Sequence, residues 1–191
     1  MAKLPAIAVK EDKDLYLALL RAIVGQQLSV KAADTIWQRF LALFRTKYPH
    51  PKLLLKTGIE KLRSAGLSYQ KAGYLRNIAE FSLLHSFDYE YLEQFDDEAL
   101  ISYLVQIKGV GRWTAEMVLM FHLGRTDIFP KDDLGIQMGM RQFYKLRELD
   151  KKKFLARIEK IASAWRPYRT LACMYIWKAR DTAALKKKPG S

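Results

Sequence analysis

The sequence Lys-Gly-Val-Gly-Arg at residues 108–112 combines two glycines with two cations in one short turn. Glycine permits positive φ and lets another surface approach the backbone closely. The first backbone amides of a helix lack intrahelical partners, and together with the helix dipole they favour an anion. The turn therefore predicts a phosphate-binding site, although a plain corner between two helices also often carries glycine. The predicted phosphate-binding residues are Lys108, Gly109, Val110, Gly111, Arg112 and Thr114.

Two adjacent carboxylates, Asp132 and Asp133, follow the extended segment that ends in Phe129-Pro130. Asp132 suits the N-cap of the next helix. Asp133 would then lie in the first helical turn, where the helix dipole favours an ionised carboxylate. These features alone favour a helix cap, and it is the spacing of this loop from the Gly-Val-Gly turn, with Asp133 20 residues after Trp113, that leads us to predict a catalytic carboxylate at Asp133. The alternative is that both aspartates only cap the helix.

Apolar and aromatic residues form stripes on two predicted helices. Trp113, Met117 and Met120 share one face, and Trp177 shares another with Met174. Such stripes more often belong to a protein core, and we interpret the methionines in that way. Met117 is in addition a candidate residue of a binding pocket. Tryptophan faces attract and stack on a cationic ring. We therefore predict that Trp113 and Trp177 are walls of a pocket.

The charge of the chain favours an anionic partner. Its 191 residues, half of them hydrophobic, suit one compact domain or two small lobes. There are 33 Lys and Arg against 20 Asp and Glu, which gives a net charge of +13. Nucleic acid is the commonest partner of such a protein. A merely soluble basic protein, or one that binds anionic lipid, is the alternative.

The residues that bind metals or form disulfides are sparse. Cys173 is the single cysteine, so a disulfide framework and an iron–sulfur cluster held by four cysteines are excluded. The three histidines are scattered and form no metal-ligand pair. The absence of a signal peptide or a membrane-length apolar run leads us to expect a cytoplasmic, prokaryotic protein that does not enter a membrane.

Helical periodicity runs through the chain and no β alternation interrupts it, so we expect an all-α fold. Predicted helices begin after Asp12 or Asp14, Ser29, Ser68, and Asp96 or Asp97. Later helices run from Asp133 to about Leu146 and from the charged corner at 147–153 to Trp165; Pro167 then suits position N1 of the last helix. The fold should be a two-lobed helical bundle with an active-site cleft between the lobes. The basic tail at 185–191 is expected to be disordered.

The segment LRSAGLSYQKAGYL loosely echoes LVQIKGVGRWTAEMV, since each has a helix, a glycine turn and an alanine at similar offsets. The echo suggests a second, degenerate hairpin with Tyr69, Lys71 and Tyr74 facing outward. An ordinary helix corner explains it equally well.

Four stretches together resemble the helix-hairpin-helix DNA glycosylases, and most closely the DNA-3-methyladenine glycosylase II group. The hairpin is Gly-Val-Gly-Arg-Trp-Thr-Ala at 109–115, and the catalytic loop is Phe-Pro-Lys-Asp-Asp-Leu-Gly at 129–135. The segment Ile-Val-Gly-Gln-Gln-Leu-Ser-Val at 23–30 resembles the wedge segment, and Trp-Arg-Pro-Tyr-Arg at 165–169 the C-terminal helix. The resemblance spans about residues 12 to 180, without the amino-terminal β lobe of larger members, so the chain looks like a minimal form.

The resemblance implies a single DNA glycosylase domain over residues 1–191, with the helix-hairpin-helix at about 97–124. It would act as a monomer on double-stranded DNA that contains damaged bases, excising alkylated purines of the 3-methyladenine and 7-methylguanine type and starting base excision repair. The base pocket would comprise Gln26, Trp113, Met117 and Trp177, and Gln27 would be the wedge that fills the gap left by the extruded base. Two glutamines in a turn are otherwise usually solvated.

Two further expectations come from the same resemblance. Members that also cut the strand use a hairpin lysine as nucleophile, and Trp113 stands at that position, so the enzyme should be monofunctional. Lys108 and Lys131 lie near enough in sequence to keep a lysine nucleophile open. Family hairpins often bind a monovalent cation through main-chain carbonyls, here those of Val105, Ile107 and Val110; no other cofactor is expected.

Two other functions are compatible with these residues. One is a glycosylase for a different lesion, such as an oxidised or mismatched base. The other is a non-catalytic helix-hairpin-helix module that binds DNA. Such a module needs the glycine turn but has no use for Asp133 or for the paired tryptophans.

Overall fold

The computed structural model describes residues 14–186, and it describes side chains through residue 182. Eleven helices and no strand occur in this part of the chain, so the prediction of an all-α fold is confirmed. The first six helices are α1 (Leu15–Gly25), α2 (Val30–Ala42), α3 (Pro51–Lys56), α4 (Ile59–Arg63), α5 (Tyr69–Leu84) and α6 (Tyr89–Glu93). The remaining five are α7 (Asp97–Leu104), α8 (Arg112–Phe121), α9 (Leu134–Tyr144), α10 (Lys151–Ser163) and α11 (Arg169–Lys186).

Side-chain caps explain where most of these helices begin. The predicted caps Asp14, Ser29, Ser68 and Asp96 are confirmed, since each side chain accepts a hydrogen bond from a first-turn amide. The predicted cap Asp132 is wrong, because Asp133 itself is the N-cap of α9. A cap lies one residue before the helix, so Asp133 is not in the first turn as expected.

The boundaries of the later helices also differ from the prediction. Lys145 adopts a left-handed conformation with φ 53° and ends α9 at Tyr144, two residues early. Pro167 is not at position N1 of the last helix, because α11 begins at Arg169. Only the first two residues of the predicted tail at 185–191 are described, and they end α11; the other five lie outside the described residues.

The described chain forms two compact units, residues 14–123 and residues 124–186, here named the N-terminal unit and the C-terminal unit. In the N-terminal unit α1 packs against α2, α5 and α8, and α7 packs against α8. In the C-terminal unit α9 packs against α11. No described helix is long and apolar enough to cross a membrane. The single domain and the active-site cleft stay predictions.

Candidate functional site

The hairpin turn between α7 and α8 is supported by α5. Gly109 has φ +107°, and a Cβ placed on it would lie 2.3 Å from a ring atom of Tyr74, so only glycine fits there. The Asn77 side-chain amide donates to the Lys108 carbonyl at 2.9 Å. Of the three residues on this helix that were predicted to face outward, Tyr69 is exposed, whereas Tyr74 lies against the hairpin and that expectation is wrong. The third, Lys71, is described below.

The start of α8 presents backbone amides rather than a capped helix end. Its N-cap is Gly111, which has no side chain to accept from the first-turn amides. These amides point out of the helix end together with its dipole, which is an arrangement that suits an anion. Lys108 is exposed beside the turn, while Val110 is buried and anchors it. Phosphate binding at these residues stays a prediction.

Two predicted phosphate ligands have side chains that are engaged within the protein. Arg112 donates to Glu98 at 2.5 and 2.9 Å and to Glu116 at 3.0 Å. Its hydrogen bond with Glu98 is the main reason that the pKa of Arg112 is raised. Thr114 is buried, and its hydroxyl accepts from the Gln26 side chain at 3.1 Å. Both side chains thus have partners within the protein, and phosphate binding by these two residues stays a prediction.

The glutamine turn that follows α1 separates its two side chains. Gln26 is half-buried and its side-chain amide donates to Thr114, so Gln26 is not a freely solvated loop residue. Gln27 is exposed and has φ 58°, a left-handed conformation that is uncommon for a residue other than glycine. The turn thus projects Gln27 from the surface of the N-terminal unit.

A cavity of about 350 Å³ lies between this turn and α8, within the N-terminal unit. Its size falls in the range of roughly 300–1,000 Å³ that is typical of ligand pockets. It brings together three of the four predicted base-pocket residues, Gln26, Trp113 and Met117. Trp113 is 45% exposed and Met117 is half-buried in this cavity, whereas Met120 and Met174 are buried, as core packing predicts.

The fourth predicted pocket residue, Trp177, lies beside Asp133 in the C-terminal unit. Asp133 Oδ1 accepts from the backbone amide of Ile136 at 2.8 Å and from the indole Nε1 of Trp177 at 2.9 Å. These two donors fix the half-buried carboxylate at the start of α9. An exposed aspartate that served only as a cap would need the first contact but not the second.

Gly135 and Arg180 complete this arrangement, and sequence reasoning did not assign either of them a role. A Cβ on Gly135 would lie 2.8 Å from Trp177 Nε1 and 2.9 Å from Asp133 Oδ1, so glycine leaves the indole room to reach the carboxylate. Arg180 donates to the Gly135 carbonyl at 3.2 Å. A glycine in the first turn of a predicted helix was the available signal for Gly135; Arg180 carried none.

The family model for HhH-GPD superfamily base excision DNA repair proteins matches residues 20–164. This range includes the glutamine turn, the hairpin and Asp133. The chain belongs to this superfamily. DNA-3-methyladenine glycosylase 1 of Schizosaccharomyces pombe is 37% identical over 179 residues, which cover 93% of this chain and 77% of that protein.

Two solved structures from the superfamily resemble the chain closely. The first is the Schizosaccharomyces pombe 3-methyladenine DNA glycosylase Mag1 in complex with abasic DNA, with a TM-score of 0.79 and 35% identity over 92% of this chain and 85% of that one. The second is a DNA-3-methyladenine glycosidase of Bacillus halodurans, with a TM-score of 0.79 and 39% identity over 94% and 81% of the two chains.

Other basic residues near the loop at 129–135 form ion pairs. Arg169 donates to the carboxylate of Asp127 at 2.6 and 3.0 Å and so forms a salt bridge with it. Lys131 donates to Glu159 at 2.7 Å. The carbonyls of Val105, Ile107 and Val110 belong to the segment between α7 and α8, and that of Ile107 accepts the Val110 amide at 2.9 Å. A cation at these carbonyls stays a prediction.

Proposed function

We propose that the protein is a monofunctional DNA glycosylase that excises alkylated purines, of the 3-methyladenine and 7-methylguanine type, from duplex DNA. It would hydrolyse the N-glycosidic bond and so begin base excision repair. The observation that carries this proposal is the Asp133 carboxylate fixed by both the Ile136 amide and the Trp177 indole. The relatives named for 3-methyladenine point to the same class of lesion.

The chemistry assigned to Asp133 follows from the charge that develops in the reaction. Breaking the N-glycosidic bond builds positive charge on the deoxyribose, and a fixed carboxylate stabilises that charge or activates the attacking water. Alkylation makes the purine a cation and hence a good leaving group, so no strong general acid is required. The site needs a carboxylate of fixed position more than it needs an acid and a base.

Selection of the lesion is assigned to the tryptophans and to the cavity beside Gln26. The enzyme must take the base out of the duplex before it acts. The faces of Trp113 and Trp177 would attract a positively charged ring more strongly than a neutral one. Recognition by charge requires no unique hydrogen-bond pattern, so we expect several alkylated purines to be substrates. Gln27 would occupy the gap that the extruded base leaves.

The positions of the lysines are the reason that we expect hydrolysis without cleavage of the DNA strand. Trp113 stands where strand-cutting members carry the nucleophilic lysine, and Lys131 is paired with Glu159. We expect no Schiff base with the abasic product, so borohydride should trap no covalent complex. The strand should break only after alkali is added.

In this proposal DNA is bound by the backbone amides at the start of α8, with Lys108 beside them and a monovalent cation at the hairpin carbonyls. We propose that one copy of the chain is sufficient for binding and catalysis. A cytoplasmic, prokaryotic setting also belongs to the proposal.

The decisive test compares base release from alkylated duplex DNA by the wild type, Asp133→Asn and Asp132→Asn. Asparagine caps a helix as well as aspartate does and keeps a side-chain oxygen for Ile136 and Trp177, so Asp133→Asn should fold and bind DNA. Its base release should fall by ~10²-fold or more, the scale of removing a key electrostatic stabiliser. Asp132→Asn makes the same charge change at the exposed neighbour and should retain activity.

The alternatives give different results in the same assay. A wild type that binds DNA but releases no base, from alkylated, oxidised or mismatched substrates, would be a non-catalytic module. Release confined to oxidised or mismatched bases would identify a different lesion. Full activity of the Asp133→Asn variant would mean that Asp133 serves only as a helix cap.

A further inference from the structure

Lys71 makes contacts that neither the sequence nor the proposed chemistry assigns to it. It lies on α5 and was expected to face outward, but the structure turns it inward and that expectation is wrong. Its Nζ donates to the carbonyls of Val24 and Gln26, both at 2.8 Å. Both acceptors belong to the end of α1 and the turn that follows it, 47 and 45 residues away in sequence.

The two carbonyls lie where a helix end needs donors. The last carbonyls of a helix have no intrahelical partners, and the negative end of its dipole favours a cation. The ammonium of Lys71 supplies both a cation and hydrogen-bond donors. Desolvation at this half-buried position lowers the pKa of Lys71, so the contact is kept at an electrostatic cost. A lysine that served only for solubility would avoid that cost by pointing into water.

Gln26 is consequently held at both of its polar ends. Its carbonyl accepts from Lys71, and its side-chain amide donates to Thr114. Gln27, the next residue, has the left-handed φ of 58°. A conformation of this kind is unfavourable for a residue other than glycine and persists only when the surroundings determine it. Lys71 and Thr114 are the side chains that supply those surroundings for the preceding residue.

We propose that Lys71 is a positioning residue that holds the turn after α1 so that Gln27 is presented to DNA before binding. This inference rests on the proposed function, in which Gln27 enters the gap left by the extruded base. Lys71 acts through Gln26 and Gln27 and does not contact the base or the phosphate. Its loss should therefore affect base extrusion more than general DNA binding or the hydrolytic step.

The variants that test the proposal are Lys71→Met, Lys71→Arg and Lys61→Met. Methionine keeps most of the aliphatic stem and removes the ammonium. Arginine keeps a cation and hydrogen-bond donors, so it should restore part of the function. Lys61 is an exposed lysine on α4 in the same unit, and Lys61→Met is the matched control for losing one positive charge.

The first readout does not depend on catalysis. 2-Aminopurine is placed opposite a stable abasic analogue in a duplex, and its fluorescence at saturating protein reports whether the wedge disturbs the orphaned base. We expect a rise with the wild type and Lys61→Met, a much smaller rise with Lys71→Met, and recovery with Lys71→Arg. An undiminished rise with Lys71→Met would overturn the proposal, as would a wild type that leaves the fluorescence unchanged.

The second readout compares an alkylated base opposite its normal partner with the same base opposite an abasic site, where no pair has to be broken. For Lys71→Met we expect the rate of base release to fall about tenfold on the paired substrate, because a small misplacement of the wedge slows base extrusion. On the unpaired substrate we expect little loss of rate. Equal losses on both substrates would show a general structural role and overturn the proposal. If the wild type raises the fluorescence but releases no base, the proposed function fails and the fluorescence alone decides the role of Lys71.

Discussion

At the scale of single residues, one oxygen atom links the position of Asp133 to two parts of the chain. Asp133 Oδ1 accepts hydrogen bonds from the Ile136 amide, which is three residues away in sequence, and from the Trp177 indole, which is 44 residues away. The first contact forms whenever α9 forms. The second requires α11 to pack against α9. The carboxylate is therefore in place only when the C-terminal unit is fully folded.

We predict that Gly135→Ala separates this positioning from DNA binding. The added Cβ would lie within 3 Å of both Trp177 Nε1 and Asp133 Oδ1, so the indole must move and its hydrogen bond is lost. Single-turnover base release should fall by about tenfold or more. Affinity for a duplex with an abasic analogue should change little, because the hairpin is untouched.

Gly73→Ala is the matched control for this substitution. Gly73 lies within α5, and a Cβ there meets nothing within 4 Å. Alanine should stabilise the helix by about 0.5–1 kcal/mol and leave base release unchanged. Full activity in Gly135→Ala would mean that the Trp177 contact does not position the carboxylate.

Individual site residues were predictable when the local sequence contained their signal. Asp133 was singled out by its place before a helix and by the resemblance of the loop, although its neighbour was wrongly taken as the cap. The roles of Gly135 and Arg180 depend on α11, so no local pattern pointed to them. Lys71 was noticed in the sequence, but its inward direction depends on carbonyls at the end of α1.

At the scale of elements, the hairpin is held by charge as well as by glycine. Glu116 is inside α8 with a side chain only 4% exposed, and it pairs with Arg112. Arg112 also reaches Glu98 on α7, whose side chain is 70% exposed. One arginine thus compensates a buried carboxylate and connects the two helices of the hairpin.

We predict that Arg112→Met destabilises the protein by about 1–2 kcal/mol, because it removes a cationic partner of the buried Glu116. The value is reduced from that of a fully buried pair, since Arg112 is 47% exposed. Urea unfolding measures the change. Glu98→Gln should cost less, and Glu116→Gln should restore most of the loss in the double variant. A larger loss for Glu98→Gln would contradict this account.

Most helix starts were predictable from the local sequence, whereas the end of α9 was not, for a physical reason. Asp14, Ser29, Ser68 and Asp96 cap helices through contacts within three residues, which the sequence displays directly. The early end of α9 depends on Lys145 adopting a left-handed conformation, for which lysine has no preference. The inward direction of Tyr74 likewise depends on Gly109, which is distant in sequence.

At the scale of the whole molecule, the positive charge is distributed unevenly. Residues 124–191 hold 17 Lys and Arg against 7 Asp and Glu, a net charge of +10. Residues 11–123 hold 14 against 13, a net charge of +1. Ten of the 13 excess positive charges therefore belong to the later part of the chain. An uneven field orients a charged partner during encounter, whereas net charge alone does not.

We predict that neutralising the C-terminal unit weakens DNA binding more than neutralising the N-terminal unit by the same amount. Lys153, Arg157 and Lys160 are exposed and share one face of α10 by their spacing; Lys52, Lys56 and Lys61 are exposed in the other unit. Each triple substitution to glutamine lowers the net charge by three.

Binding of undamaged duplex is measured between about 50 and 200 mM salt. Each lost phosphate contact lowers the slope of log affinity against log salt concentration by about 0.9. A lower affinity at every salt concentration for the α10 triple alone would mean that the distribution of charge matters. Equal losses for the two triples would mean that only the net charge does.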